Sequence, residues 1–229
     1  MPSAGSYDVR TAHHTRDAEV ARLAAQARLG WDKEVASLER FGFRDGMSIL
    51  ELGSGPGFVT KLLTDRFPTG RVTCLEVDAS LIEDATRYLG DDASRVTFLN
   101  ASVTETGLAP DAYDAAYARL LFQHLPDPAA AAKETFRILR PGAPFVVADA
   151  DDRIGFLIDP DVPAFRSIHE SFVRAQASRG GNRYVGGSLP RILKRAGFEQ
   201  VDIDVVSTNS EAEGLDPFLL QLDPARLSP

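Results

Sequence analysis

Between Arg16 and Phe41 apolar side chains return every three or four residues, at Val20, Leu23, Ala24, Ala27, Trp31, Val35 and Leu38. That spacing lines one face of a helix, and Gly30 interrupts the run, so two helices jointed at Gly30 are predicted. Past residue 46 the period changes. MSILEL (47–52), RVTCLEV (71–77), RVTFLN (95–100), AYDAAYA (112–118) and APFVVADA (143–150) are short apolar blocks suited to buried strands. GFVTKLLTDRF (57–67), SLIEDATRYLG (80–90) and DPAAAAKETFRILR (127–140) lie between them with helical spacing. Strand and helix in alternation predict an α/β fold, a doubly wound and mostly parallel sheet with helices on both faces. No repeat of fixed period appears. At 229 residues the chain is read as one domain. Its expected parts are N-terminal helices (1–45), a cofactor-binding core (46–150), a helical insertion after the fifth strand (151–187), and a C-terminal part of the sheet with its tail (188–229).

The stretch ILELGSGPG (49–57) puts Gly53, Gly55 and Gly57 at the turn from first strand to first helix. A backbone without side chains at that turn lets a ligand approach closely, so the loop reads as a cofactor seat. The spacing is Gly-x-Gly-x-Gly, whereas the dinucleotide fingerprint has two residues between its second and third glycines. Glu51, two residues before the first glycine, suits a ligand carrying an ammonium group better than a pyrophosphate.

Charge narrows the partners. The formal net charge is −8 with a pI near 5.0, which argues against nucleic acid and anionic membranes, because phosphate binding wants a basic face. Cys74 is the single cysteine, so neither an intramolecular disulfide nor a zinc cluster is expected, and no metal is assigned. The opening MPSAGSYDVR has no apolar core of the export type, and a reducing, cytoplasmic setting is expected.

Several motifs in order resemble the class I S-adenosylmethionine-dependent methyltransferases, from about Met47 to Phe198. ILELGSGPG is similar to that family's first motif, VTCLEVDASLIEDA to its second strand and following helix, and LLFQHLPDPAAAAKETFRILRPGAPFVVAD to its fourth helix and fifth strand. The resemblance implies S-adenosyl-L-methionine as cofactor and methyl transfer by in-line displacement, with a small organic molecule, such as a specialised metabolite, as acceptor. It implies that Glu51, Gly53, Ser54, Gly55 and Gly57 line the methionine and ribose part, and that Glu76, followed by Val77, holds the ribose hydroxyls. Asp78 is the fallback for that role; a helix N-terminal charge is the other explanation for either carboxylate, and it fits Asp78 better than Glu76. Where the family usually has an aspartate near adenine, this chain has Ser102, followed by Val103; a hydroxyl there gives a weaker contact. The backbone of Arg119 is placed along the cofactor, its guanidinium free to pair with a carboxylate.

His124, on the loop after the fourth strand, either accepts a proton or shapes the loop. Asp151 is the further candidate base, with Asp149 and Asp152 beside it. In the insertion, Phe165, Ile168, His169 and Phe172 recur at helical spacing. Ile168 is assigned to the core, and Phe165, His169 and Phe172, with Trp31 and Tyr184, to the acceptor pocket. Two other readings stand beside this one: a methyltransferase acting on RNA or protein, and a cofactor-binding protein that transfers no methyl group. A homodimer is left open. After EQVDIDVV the family adds a seventh, antiparallel strand, and LDPFLLQLDPARLSP does not resemble one; either the chain is truncated or the sheet edge is completed elsewhere.

Overall fold

Alternation along the first strand divides the core into two layers. Leu50 and Leu52 join a cluster with Leu75, Ala116, Ala118, Phe122 and Ile138, while Ile49 joins Leu38, Phe43, Leu63, Phe67, Cys74 and Tyr117 on the other side. Successive strand residues face opposite sides, so a strand with apolar residues in both phases needs cover on both. The computed structural model describes residues 5–10, 12 and 15–221, and supplies that cover with helices.

The strands are β1 (Ser48–Leu52), β2 (Arg71–Glu76), β3 (Val96–Asn100), β4 (Ala115–Arg119) and β5 (Phe145–Ala148). They form one parallel sheet in the order β3-β2-β1-β4-β5, with Ile49 opposite Val72 on one side and Ala115 on the other. The helices are α1 (Arg16–Arg28), α2 (Trp31–Arg40), α3 (Phe58–Arg66), α4 (Ala79–Leu89), α5 (Pro128–Ile138), α6 (Pro163–Ala177), α7 (Leu189–Ala196), α8 (Ser210–Glu213) and α9 (Asp216–Gln221). Strand order reverses between β1 and β4. In open α/β sheets that switch point leaves a crevice beyond the carboxyl ends of the strands, here flanked by the loops after Leu52 and Arg119.

The five strands predicted between residues 47 and 150 and the helices between them form, with the fourth strand starting at Ala115 rather than Ala112; Asp114 meets Ser48 through both its amide and its side chain, each at 2.9 Å. The part of the sheet expected within 188–229 does not form among the described residues. The face buried by α1 differs from the apolar one expected. Glu19, Arg22 and Ala27 are buried, and the Arg22 guanidinium donates to Glu19 at 2.7 and 2.9 Å. Tyr7 Oη donates to the same carboxylate at 2.9 Å, and Arg22 Nη1 donates to Gln221 Oε1 at 2.5 Å. An N-terminal strap, α1 and α9 are thus joined through one buried ion pair.

VDIDVV forms no ladder. The Arg40 guanidinium takes Asp202 at 2.9 Å and Asp204 at 3.1 Å, and Ser37 Oγ donates to Asp204 at 2.6 Å. The acidic residues of the alternating pattern dock on α2, which leaves Ile203 65% and Val205 71% exposed. Among the described residues β5 has no neighbour on its outer edge.

Candidate active site

The glycine loop closes over the switch point with its own backbone: the Gly53 and Ser54 amides donate to Leu75 O at 2.8 and 3.2 Å. Gly55 then takes a φ of +55°, and a Cβ built on it would meet no atom within 4 Å. Gly57 differs, since a Cβ there would lie 2.8 Å from Ala85 Cβ. One glycine therefore keeps open space, and the other lets α3 and α4 pack closely. Across from Gly55, Glu76 ends β2. Its Oε2 accepts from the Gly55 amide and its Oε1 from the Asp78 amide, both at 2.9 Å. Burial raises the pKa of this carboxyl above its ordinary value. Each oxygen keeps a further lone pair for an incoming hydroxyl. Asp78 caps α4 instead, its Oδ1 accepting from Ser80 N at 2.9 Å.

One cleft of about 2770 Å³ runs from this loop past Val77, Ser102, Val103 and His124, beneath α6, and on to the open edge of β5. Its volume exceeds that of an ordinary single-ligand pocket, so there is room for a cofactor and a second molecule. Ser54 Oγ is buried without a hydrogen-bond partner among the described residues.

A family profile described as "Methyltransferase domain" matches residues 50–147. A trans-aconitate 2-methyltransferase of Methylobacterium radiotolerans is 30% identical over 195 residues, covering 76% of this chain and 71% of that protein. The chain belongs to the class I S-adenosylmethionine-dependent methyltransferases. The methyltransferase phqN of Penicillium fellutanum is 29% identical over 192 residues, 79% of this chain but only 56% of its own length. The chain thus spans little more than half of one of these relatives and about seven-tenths of the other. In fold, a SAM-dependent methyltransferase from Aquifex aeolicus superposes with a TM-score of 0.57 at 20% identity, over 75% of this chain and 82% of that one.

S-adenosylmethionine is the cofactor of this methyltransferase, and the loop fits it: open space over Gly55, a paired carboxylate at Glu76, and a buried hydroxyl at Ser54 with no partner among the described residues. Glu51 does not reach the cleft. Its carboxyl lies under the loop, accepts from Thr60 Oγ1 at 2.6 Å, and is pushed up to about 7 by burial, with Thr60 and Cys74 pulling the other way. Arg119 commits its guanidinium to Glu34 of α2, at 2.9 and 3.0 Å, and to the Gln26 and Leu29 carbonyls at the end of α1, all of them residues that line the cleft. Ser102 Oγ lies 2.9 Å from Thr104 Oγ1 at the cleft wall.

His124 is tied to the strap, Nδ1 lying 2.9 Å from Ser6 Oγ and its carbonyl accepting from Ser6 N at 2.9 Å. Asp151 is clasped by Arg153 and by the Gly187 amide at 2.8 Å, and the guanidinium holds its carboxyl down at about 2. So weak a base is ill suited to taking a proton near neutral pH. Asp149 accepts from the Gln123 amide at 3.0 Å, and burial pushes it up to about 7.

Phe165, His169 and Phe172 of α6 all line the cleft. Trp31 packs against the layer of Leu38, Ile49 and Tyr117, and Tyr184 lies outside under the Arg153 guanidinium, 5.7 Å from its ring centroid; neither lines the cleft. Ser6, Tyr7 and Arg183 carry no motif that marks them in the sequence; the fold brings Tyr7 and Arg183 to the cleft and Ser6 to His124.

Glu76→Ala is expected to weaken binding of S-adenosylhomocysteine tenfold or more. Hydrogen bonds to a charged group contribute about 1.5–3 kcal/mol each, and the variant also releases the Gly55 amide that the carboxylate holds. Calorimetry reads the change directly, and an unaltered dissociation constant places the ribose elsewhere.

Proposed function

We propose that the chain methylates a small organic molecule bound under α6. The observation that carries this reading is the continuity of the cleft: the wall that begins at Gly55 and Glu76 continues into the rings of Phe165 and Phe172 without an intervening barrier. Mostly apolar lining with a few polar groups is the usual character of a small-molecule pocket. The net charge of −8 supports a small acceptor over a polyanion.

Bound S-adenosylmethionine supplies a methyl group on a positively charged sulfur. The chain's own residues position the reactants. Glu76 and the Gly53–Gly55 backbone hold the ribose and methionine part, Ser102 and Val103 border the adenine end, and the backbone at Arg119 and the His124 turn form the floor towards the acceptor. Rate then derives mainly from orientation, since displacement at a methyl carbon needs no covalent bond to the protein.

Formation of S-adenosylhomocysteine across panels of small metabolites, purified RNA and purified protein tests this. Product is expected with the first panel. Product only with RNA or protein overturns the small-molecule reading, and product with none overturns methyl transfer. With a responsive acceptor in hand, Phe165→Ala should raise its KM about tenfold while the affinity for S-adenosylhomocysteine stays within about twofold. Loss of cofactor affinity in that variant would make the α6 face part of the cofactor wall.

A further inference from the structure

We propose that His169, oriented by Asp152, is the general base of the reaction and takes the proton of an acceptor hydroxyl, so that the chain methylates the oxygen of a phenol. This rests on the small-molecule reading above and names the class of acceptor.

His169 Nε2 lies 2.8 Å from Asp152 Oδ2. A carboxylate only accepts, so Nε2 carries the proton in that contact and Nδ1 is left with its lone pair. Nδ1 has no hydrogen-bond partner among the described residues. The imidazole plane is fixed from two sides: Phe165 stacks on it at 5.9 Å and 12°, and Phe156 meets it edge-on at 5.0 Å. All three rings line the cleft.

Asp152 is itself held. Its side chain is 2% exposed, Arg183 Nε donates to the same Oδ2, and Arg183 Nη2 donates to Oδ1 at 3.3 Å. Its amide donates to the Arg183 carbonyl at 3.0 Å, so the carboxylate cannot swing away from the ring. The Arg183–Asp152 pair is complete without His169. A purely structural clamp would therefore need no imidazole in contact with it.

The helix that carries His169 is tied to the carboxyl edge of the sheet, and His169 and Asp152 line the same cleft as the glycine loop. Gln176, about two helical turns beyond His169 on α6, donates through Nε2 to the Gln123 carbonyl at 3.0 Å, in the turn that follows β4. Of the other candidate bases, His124 is tied through Nδ1 to Ser6 of the strap, Asp151 is paired with Arg153, and each oxygen of Asp149 accepts one amide, from Gln123 and from Ala150. A base flanked by phenyl rings suits an acceptor that is flat, apolar and carries an ionisable hydroxyl.

In the step, the hydroxyl proton passes to Nδ1 as an oxygen lone pair forms the bond to the methyl carbon. The carbon–sulfur bond breaks and its electron pair goes to sulfur, which becomes neutral. The imidazolium, facing Asp152, returns its proton to water. Asp152 is a positioning residue here; His169 meets the substrate.

The first test needs no turnover. In the full chain without cofactor at pH 8, the 15N shifts of the His169 ring, assigned by their loss in His169→Gln, should report the Nε2–H tautomer. An Nδ1–H tautomer overturns the proposal. The second test uses catechol and 4-nitrophenol as probes. Gln keeps a donor near the Nε2 position but is no base, so His169→Gln should lower kcat on catechol by about 10²–10⁴-fold. On 4-nitrophenol, which ionises without help at that pH, the loss should be far smaller, with the affinity for S-adenosylhomocysteine within about twofold of wild type. Equal losses on the two phenols, no loss on either, or turnover of amines with none of phenols overturns the assignment. Absence of turnover with every acceptor class removes the small-molecule reading itself, a result distinct from any of these.

Discussion

Gly55→Val is expected to yield a folded protein that no longer binds its cofactor measurably. At φ +55° a β-branched residue is strained, by about 1–3 kcal/mol, and the strain falls on the loop that the cofactor must meet. No atom of the described residues lies within 4 Å of the position of the new Cβ, and Gly55 lines the cleft, so the added side chain takes up open space at the loop. Strain and occupied space together should cost at least about 2.8 kcal/mol, a hundredfold in affinity. Gly57→Ala serves as the contrast. Its Cβ would sit 2.8 Å from Ala85 Cβ and 3.1 Å from Ala85 Cα, so that variant should lose thermal stability by forcing α3 and α4 apart. Calorimetry with S-adenosylhomocysteine and a circular dichroism melt separate the two effects. Wild-type affinity in Gly55→Val would show that the cofactor does not lie against this loop.

Arg119→Ala is expected to be the most destabilising single change in the sheet. Arg119 and Glu34 are 11% and 7% exposed at their side chains, and the guanidinium also satisfies the carbonyls of Gln26 and Leu29. Removing one partner of a buried pair costs about 3–5 kcal/mol, because the other charge is left uncompensated. For a chain of this length that lowers the melting temperature by on the order of 10 °C. The cost should depend on pH, with a sign fixed by Glu34. Burial already raises its pKa above the ordinary value, against the pull of Arg119, and without Arg119 it rises further. A carboxyl whose folded pKa exceeds its unfolded one loses stability as pH climbs from the unfolded value to the folded value. The deficit should therefore be full at pH 8 and much smaller at pH 5, where Glu34 is nearer to taking a proton. Melts at the two pH values check this, and Glu34→Leu combined with Arg119→Leu should recover most of the loss. An equal deficit at both pH values would mean that packing, and not charge, is what Arg119 supplies.

How legible each part was depended on how local its cause is. The glycine loop at the end of β1 was readable because a buried strand before it and a helix after it are set by neighbours in sequence, whereas Glu76 was marked by the family resemblance at the end of the second strand. Gly57 shows the limit: it stands in the same motif, but its reason for being glycine is Ala85, on another helix. Arg119 was placed at the cofactor by its backbone, and only the position of α2 reveals Glu34 as its partner. Trp31 and Tyr184 were assigned to the acceptor pocket for their chemistry, yet which side of the sheet a ring faces is decided by helix packing. Asp151 and Asp152 are adjacent and look alike in sequence. Arg153 takes one and His169 with Arg183 the other, and so their roles separate only in three dimensions. The buried face of α1 escaped for the opposite reason, since a helix that buries Glu19 and Arg22 violates the apolar pattern used to find it.

The link from Tyr7 through Glu19 and Arg22 to Gln221 has a kinetic consequence. Residues 5 and 7–10 line the same cleft as Gly55, so the strap forms part of its wall. Lifting them breaks the Tyr7 contact with a buried carboxylate and the Ser6 contact with His124 in the same movement. If exchange of the cofactor requires that movement, association with S-adenosylhomocysteine should be slower than diffusion and faster in Tyr7→Phe; equal stopped-flow association rates in the two proteins would mean that the strap stays in place.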